Sequence, residues 1–165
     1  AGRMQLNLGQ VDIREAMQAA AEGVQDRLVS AGLTLEIRAS ADIGSFVADG
    51  RRLRQILFNL LANAVSFSPG GATVTLAAER RQDEVTFSVT DTGPGIPPDV
   101  LERVFNWFET HPLGSHHRGP GIGLSLVRSF VELHGGTVTI DSVVGRGTTV
   151  ICRFPTSAVA ARTAA

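Results

Sequence analysis

Lysine is absent from this 165-residue chain, in which all fifteen Lys+Arg positions are arginine. That excludes a P-loop, whose glycine-rich turn needs a lysine to reach the terminal phosphates. Any phosphate binding must use backbone amides, arginine, histidine or a metal. Cysteine is almost absent too. Cys152 alone cannot close an intrachain disulfide, which fits a reducing compartment, and its strand-like surroundings make it core filler. No apolar run is long enough to span a bilayer, and the amino terminus lacks the charged, apolar and small-residue order of a signal peptide. Nor does either sign of charge dominate. A formal net charge of -1 gives no electrostatic reason to expect nucleic acid or an anionic membrane as partner.

What is present suffices for one domain, since 43% of the residues are hydrophobic. A strand is expected at Gln5 to Gly9, followed by a capping box, Asp12-Ile13-Arg14-Glu15, and a helix to about Ser30 that Gly32 stops. Leu33, Leu35, Ile37 and Ala39 alternate as in a half-buried strand. A second helix starts near Gly50 and carries Leu53, Leu57, Leu60, Leu61 and Ala64 on one stripe, ending at Ser68-Pro69-Gly70-Gly71. Val74, Leu76 and Ala78, then Val85, Phe87 and Val89, form the apolar faces of a hairpin turning at Arg80 to Asp83. A short helix is expected near Asp99 to Phe105, a mobile loop over Glu109 to Arg118, and a helix from Gly121 to about His134. Strands Thr137 to Ser142 and Thr148 to Phe154 close a last hairpin. Adjacent strands joined by hairpins favour a mixed, mostly antiparallel sheet, so the expected class is α+β, a two-layer sandwich. Residues 1–157 form the domain and the Ala-rich 158–165 a frayed tail.

Four polar or glycine-rich clusters interrupt this pattern. Asn59 and Asn63 lie four apart on one helix face, and their amide oxygens suit Mg²⁺, although such a pair can equally tie backbone groups together. Asp91 continues the alternation of Val85, Phe87 and Val89 toward the buried face. A carboxylate there needs a donor, which the exocyclic amine of adenine would supply. Gly93 and Gly95 remove side chains beside it, letting a flat base approach the backbone, and Ile96 follows. The alternative is an ordinary Gly-Pro-Gly turn. Gly119, Gly121 and Gly123 open a helix, where free amides and the positive dipole end favour phosphate. Gly145-Arg146-Gly147-Thr148 is the last cluster.

In this order and at these intervals the clusters resemble the ATP-binding catalytic domain of bacterial sensor histidine kinases, a branch of the GHKL ATPases, from about Leu6 to Pro155. Gln55 to Ala64 is similar to that family's N box, which implies that Asn63 first, and Asn59 second, hold the Mg²⁺ bridging the phosphates of ATP or ADP. Asp91 to Pro97 is similar to its adenine box. Gly119 to Leu124 resembles the end of its ATP lid, which implies nucleotide contacts from Gly119, Gly121, Ile122, Gly123 and Leu124. Phe105, Trp107 and Phe108 match its F box. His116, His117 and Arg118 are candidates to reach phosphate from the lid, Arg118 first, the alternative being a solvated loop. Gly145 and Gly147 fit its final glycine box, a turn supporting the lid, with Thr148 in the nucleotide site.

Two departures matter. Many members have lysine where this chain has Ser66, which removes a phosphate contact. Related members that hydrolyse ATP have glutamate where this chain has Asn59, and an amide is not a base, which implies phosphoryl transfer to an acceptor and not free hydrolysis. None of His111, His116, His117 or His134 has the flanking pattern of a phosphoacceptor, so the acceptor would lie in dimerisation helices before Ala1. The segment Phe105-Asn106-Trp107-Phe108-Glu109, the lid His111 to Ser115 and the missing lysine resemble DivL-like cell-cycle kinases of alphaproteobacteria. The resemblance implies a cytoplasmic domain of a membrane-associated, homodimeric sensor, with a response regulator or partner kinase as partner. Two other readings stand beside the kinase. One is a pseudokinase binding platform of the same fold; the other is an anti-sigma-type serine kinase, against which the F-box-like segment argues.

Overall fold

A computed structural model describes residues 5–101 and 121–156. The first strand, β1, is Gly9–Asp12 and not the expected Gln5 to Gly9. It pairs antiparallel with β3, Ser45–Ala48, a strand that four residues of sequence are too few to announce. Asp12 caps helix α1, Ile13–Gly23, by accepting the Glu15 N–H at 2.9 Å. The expected single helix to Ser30 is broken. Gly23, a poor helix former packed against Phe58, lets the chain bend at Val24 (φ -107, ψ 4), whose side chain is fully buried, before α2, Gln25–Ala31. Gly32 ends α2 in the left-handed conformation, as expected.

Strand β2 is Thr34–Arg38, helix α3 is Gly50–Phe67, and β4 and β5 are Thr73–Arg81 and Glu84–Asp91. The short helix α4 is Pro98–Leu101. Helix α5, Gly121–Leu133, leads into β6, Thr137–Val143, and β7, Gly147–Pro155. Strands β2, β4, β5, β7 and β6 form one five-stranded sheet in that order. Its β2–β4 pair is parallel and the other three pairs are antiparallel. The sheet is therefore mixed and mostly antiparallel. Among the described residues no helix is long and apolar enough to cross a membrane.

Helices α1, α3 and α5 pack side by side on one face of the sheet. Alternation puts Val74, Leu76, Ala78, Val85, Phe87, Val89, Cys152 and Phe154 on that face, all buried. Phe46, Phe87 and Phe154 meet within the core with centroids 5.8 to 6.0 Å apart. Cys152 is the core filler expected, and burial pushes its thiol up to about 12.

One buried polar link joins the helices. His134, 1% exposed, sits just past α5 edge-on to Phe154. Its Nδ1 lies 2.7 Å from the Phe130 carbonyl, to which it donates, and its Nε2 accepts the Asp49 N–H at 3.0 Å. Asp49 in turn caps α3 through the Arg52 N–H and accepts the Asn7 N–H at 2.9 Å. A proton on Nε2 would remove that acceptor. Burial lowers the His134 pKa, outweighing the Phe130 carbonyl and the nearby Asp49 carboxylate, which act the other way. The unfolded chain binds this proton near 6.5 and the folded chain only at lower pH, so stability is full above about 6.5 and falls below it. The melting temperature should drop more steeply between about pH 7 and 5.5 in the wild type than in His134→Gln, whose amide oxygen can still accept from Asp49. Equal slopes would remove His134 as the titrating group.

Candidate functional site

The helix-facing side of the sheet changes character at one end. Along β5, β7 and β6 the rows Phe87–Cys152–Val138 and Val89–Val150–Ile140 are apolar, and the next row is Asp91–Thr148–Ser142. Three side chains that continue an apolar alternation are thus polar where the sheet meets the C-terminal part of α3. Over this row opens a cavity of about 250 Å³. Leu60, Asn63, Ala64 and Phe67 of α3, Val89, Val150 and Leu124 form apolar and amide walls, Asp91 and Thr148 its polar end, and Pro94 to Pro97 with Val100 its rim. Whole-ligand clefts run to roughly 300–1,000 Å³, so the described walls enclose part of a ligand, on the scale of a flat ring system.

Asp91 is half-buried, and its Oδ1 accepts the Gly93 N–H at 2.9 Å. Burial raises its pKa, while hydrogen bonds from the Gly93 and Thr148 backbone oppose the rise. The two glycines that follow have a structural cause besides access for a ligand. A Cβ on Gly93 would lie 2.4 Å from the Phe67 carbonyl oxygen. Gly95 has φ +77, and its Cβ would lie 2.5 Å from the Val143 carbonyl oxygen. The turn is thus clamped between the end of α3 and the β6–β7 turn. The Gly145 N–H donates to the Pro94 carbonyl at 2.9 Å, so the described contacts of the last glycine cluster support the Asp91 turn. Ser142 supports the same turn. Its Oγ accepts the Ile96 N–H at 2.8 Å, lies 2.8 Å from Thr148 Oγ1 and donates to the Gly147 carbonyl at 3.2 Å.

The fold therefore brings Asn63, Asp91, Gly95, Ile96, Leu124 and Thr148 to one cavity, with Gly93 just behind its rim. Asn59, one turn earlier on α3 and half-buried, is not part of that wall. Gly121, Ile122 and Gly123 form the first turn of α5. Arg118 and Gly119 lie outside the described residues, as do the F-box positions Phe105 to Phe108, His111, His116, His117 and the Ala-rich tail. Ser66, at the place of the missing lysine, is exposed and donates to the Ala62 carbonyl at 2.9 Å. Ser142 and Phe67 escaped the sequence reading. Ser142 was detectable as the polar member of the Val138, Ile140 alternation, whereas Phe67, beside the Ser68-Pro69 helix stop, carried no such signal.

Among the described residues no three His, Cys, Asp or Glu side chains gather as a resident metal centre would require. Asn63, by contrast, offers an amide oxygen of the kind Mg²⁺ accepts alongside water and phosphate oxygens. The donor set fits a cation that arrives with a nucleotide.

Known proteins resemble this chain in sequence and in fold. Two proteins of Caulobacter vibrioides are similar over 94% of this chain: the sensor protein DivL at 38% identity and the histidine protein kinase DivJ at 41%. The chain spans 20% and 26% of their lengths. The structure of full-length ShkA in complex with AMPPNP superposes with TM-score 0.80 at 32% identity, over 95% of this chain and 33% of that one. The catalytic domain of histidine kinase ThkA gives TM-score 0.79 at 22% identity over 92% of this chain and 97% of that one, a likeness of fold. Residues 48–158, from the cap of α3 through β7, match the histidine kinase-, DNA gyrase B- and HSP90-like ATPases, and the chain belongs to that family as an ATP-binding catalytic domain of the histidine kinase type.

Proposed function

We propose that this domain binds Mg-ATP and presents the γ-phosphate for transfer to an acceptor residue on dimerisation helices of its full-length protein, a two-component kinase acting on a response regulator. The observation that carries this is the convergence of Asn63, Asp91, the Pro94–Ile96 turn, Leu124 and Thr148, from four separated segments, on one cavity. Adenine occupies that cavity, with its exocyclic amine toward Asp91 and its faces between apolar walls. Asn63, with Asn59 behind it, holds Mg²⁺, which when bound neutralises phosphate charge. The first turn of α5 supplies free amides, and Arg118 and Gly119 complete the phosphate contacts. Transfer breaks the Pγ–O bond to the leaving ADP and forms a bond to a histidine nitrogen or a tyrosine oxygen of the acceptor. Asn59 cannot deprotonate water, which keeps hydrolysis slow.

A second reading has its own observation. Ser66 turns its hydroxyl back onto the Ala62 carbonyl, so it does not replace a lysine reaching for phosphate. On that reading the domain is a pseudokinase, a nucleotide-modulated platform for other kinases or regulators. Calorimetric titration with ATP and ADP, in Mg²⁺ and in EDTA, separates the two. Saturable, metal-dependent binding followed by phosphorylation of supplied acceptor helices supports the kinase. Metal-independent or absent binding overturns it in favour of the platform.

A further inference from the structure

At the cavity's polar end Thr148 meets the hydroxyl of Ser142 behind it, and the protons of this pair can be assigned by counting. Ser142 Oγ has one proton and two lone pairs. One lone pair accepts the Ile96 N–H at 2.8 Å. The Gly147 carbonyl, 3.2 Å away, has no proton to give and must accept the Ser142 proton. Thr148 Oγ1, 2.8 Å from Ser142 Oγ, is then the donor to the remaining lone pair. The single proton of Thr148, a residue lining the cavity, is committed to Ser142, so its Oγ1 can meet a ligand only as an acceptor. The neighbouring Asp91 carboxylate, already accepting N–H groups from the Gly93 and Thr148 backbone, is also an acceptor.

We infer that Ser142 is a specificity-determining positioning residue: by fixing the Thr148 hydroxyl as an acceptor and tethering Ile96, it makes this pocket select a purine bearing a 6-amino group over one bearing a 6-oxo group. The inference rests on the nucleotide reading above and deepens it. A base with an amino group offers protons to both Asp91 and Thr148. A 6-oxo base turns an oxygen toward one of two acceptors, and a buried acceptor facing an acceptor loses its hydrogen bond outright. Ser142 touches the cavity only through its neighbours. Without it, the Thr148 hydroxyl is free to rotate and donate to a 6-oxo group.

The test is the ratio of IDP to ADP dissociation constants for this chain, by calorimetry in Mg²⁺. The wild type should prefer ADP. Ser142→Ala should shrink the preference roughly three- to tenfold, the worth of one neutral hydrogen bond. Ser142→Thr, which keeps the hydroxyl, should restore it. Thr148→Val should shrink it by a similar factor, and adding Ser142→Ala to Thr148→Val should change it no further. A merely structural Ser142 would weaken both nucleotides equally, and an unchanged ratio in Ser142→Ala overturns the inference while leaving the nucleotide site intact. Should Ser142→Ala not fold, an unchanged ratio in Thr148→Val overturns it as well. A wild type that binds neither nucleotide overturns the nucleotide reading itself, and this inference with it.

Discussion

Replacing Asp91 by asparagine is expected to cut ADP and ATP affinity by roughly 10- to 100-fold, the worth of a hydrogen bond to a charged acceptor, while the fold survives. The side chain keeps its size, so the cavity keeps its shape. What changes is chemistry: an amide presents a donor as well as an acceptor, and the donor would face the 6-amino group or pair with the oxygen of guanine. The preference for ADP over GDP should therefore fall further than affinity for either. The ligand-free domain should melt no lower than the wild type. Burial holds the Asp91 pKa above its ordinary 3.8, so the ionised form is disfavoured in the empty pocket. The associated stability is complete below the unfolded value and is lost as pH rises through the folded one. At neutral pH an uncharged asparagine avoids that cost. Calorimetry with ADP and GDP and a melt of each variant measure all three effects. An unchanged adenine preference would end the base-recognition role.

The second large effect is expected at Asn63. Asn63→Ala should abolish the gain in nucleotide affinity that Mg²⁺ confers, a loss on the order of tens-fold, so that titrations in Mg²⁺ and in EDTA converge. Asn63 lies on the wall of the cavity about one turn from the end of α3, a helix that packs against α5. An amide oxygen there would share a hard cation with phosphate oxygens and water, and the cation would neutralise phosphate charge. The alanine removes an amide from a half-buried position in a helix whose buried stripe, Leu53, Leu57, Leu60, Leu61 and Ala64, is untouched, so folding should be retained. Asn59→Ala should have the smaller effect, because that side chain is not in the cavity wall. Persistence of tight, metal-dependent binding in Asn63→Ala would refute the assignment.

Much of this architecture was legible because its signals are local. The apolar stripe of α3, the alternation in β4, β5 and β7, the Asp12 cap and the Gly32 stop each depend on neighbours within a few residues. So do the clusters at Asn63 and Asp91, and their order along the chain carries the family. Other features were not local. The β1–β3 pair joins two four-residue strands whose partners are 33 to 39 residues apart, and the bend at Val24 answers to the packing of Gly23 on Phe58 of α3. His134 looked like the end of a helix and proved to be the acceptor for the cap of α3.

The linear pattern of residue types was enough for the fold class, for the elements at its centre and for which segments hold polar groups amid apolar ones. Register and packing supplied the rest. Whether Gly93 and Gly95 serve a ligand or the chain itself depended on where the Phe67 and Val143 carbonyls came to lie. That Ser142, Thr148 and Asp91 share one row depended on pairings across 57 positions between β5 and β7 and six between β6 and β7. Hydrogen-bond polarity at a buried site is a property of such neighbours, because each hydroxyl has a single proton and its direction is settled by acceptors that only folding brings within reach.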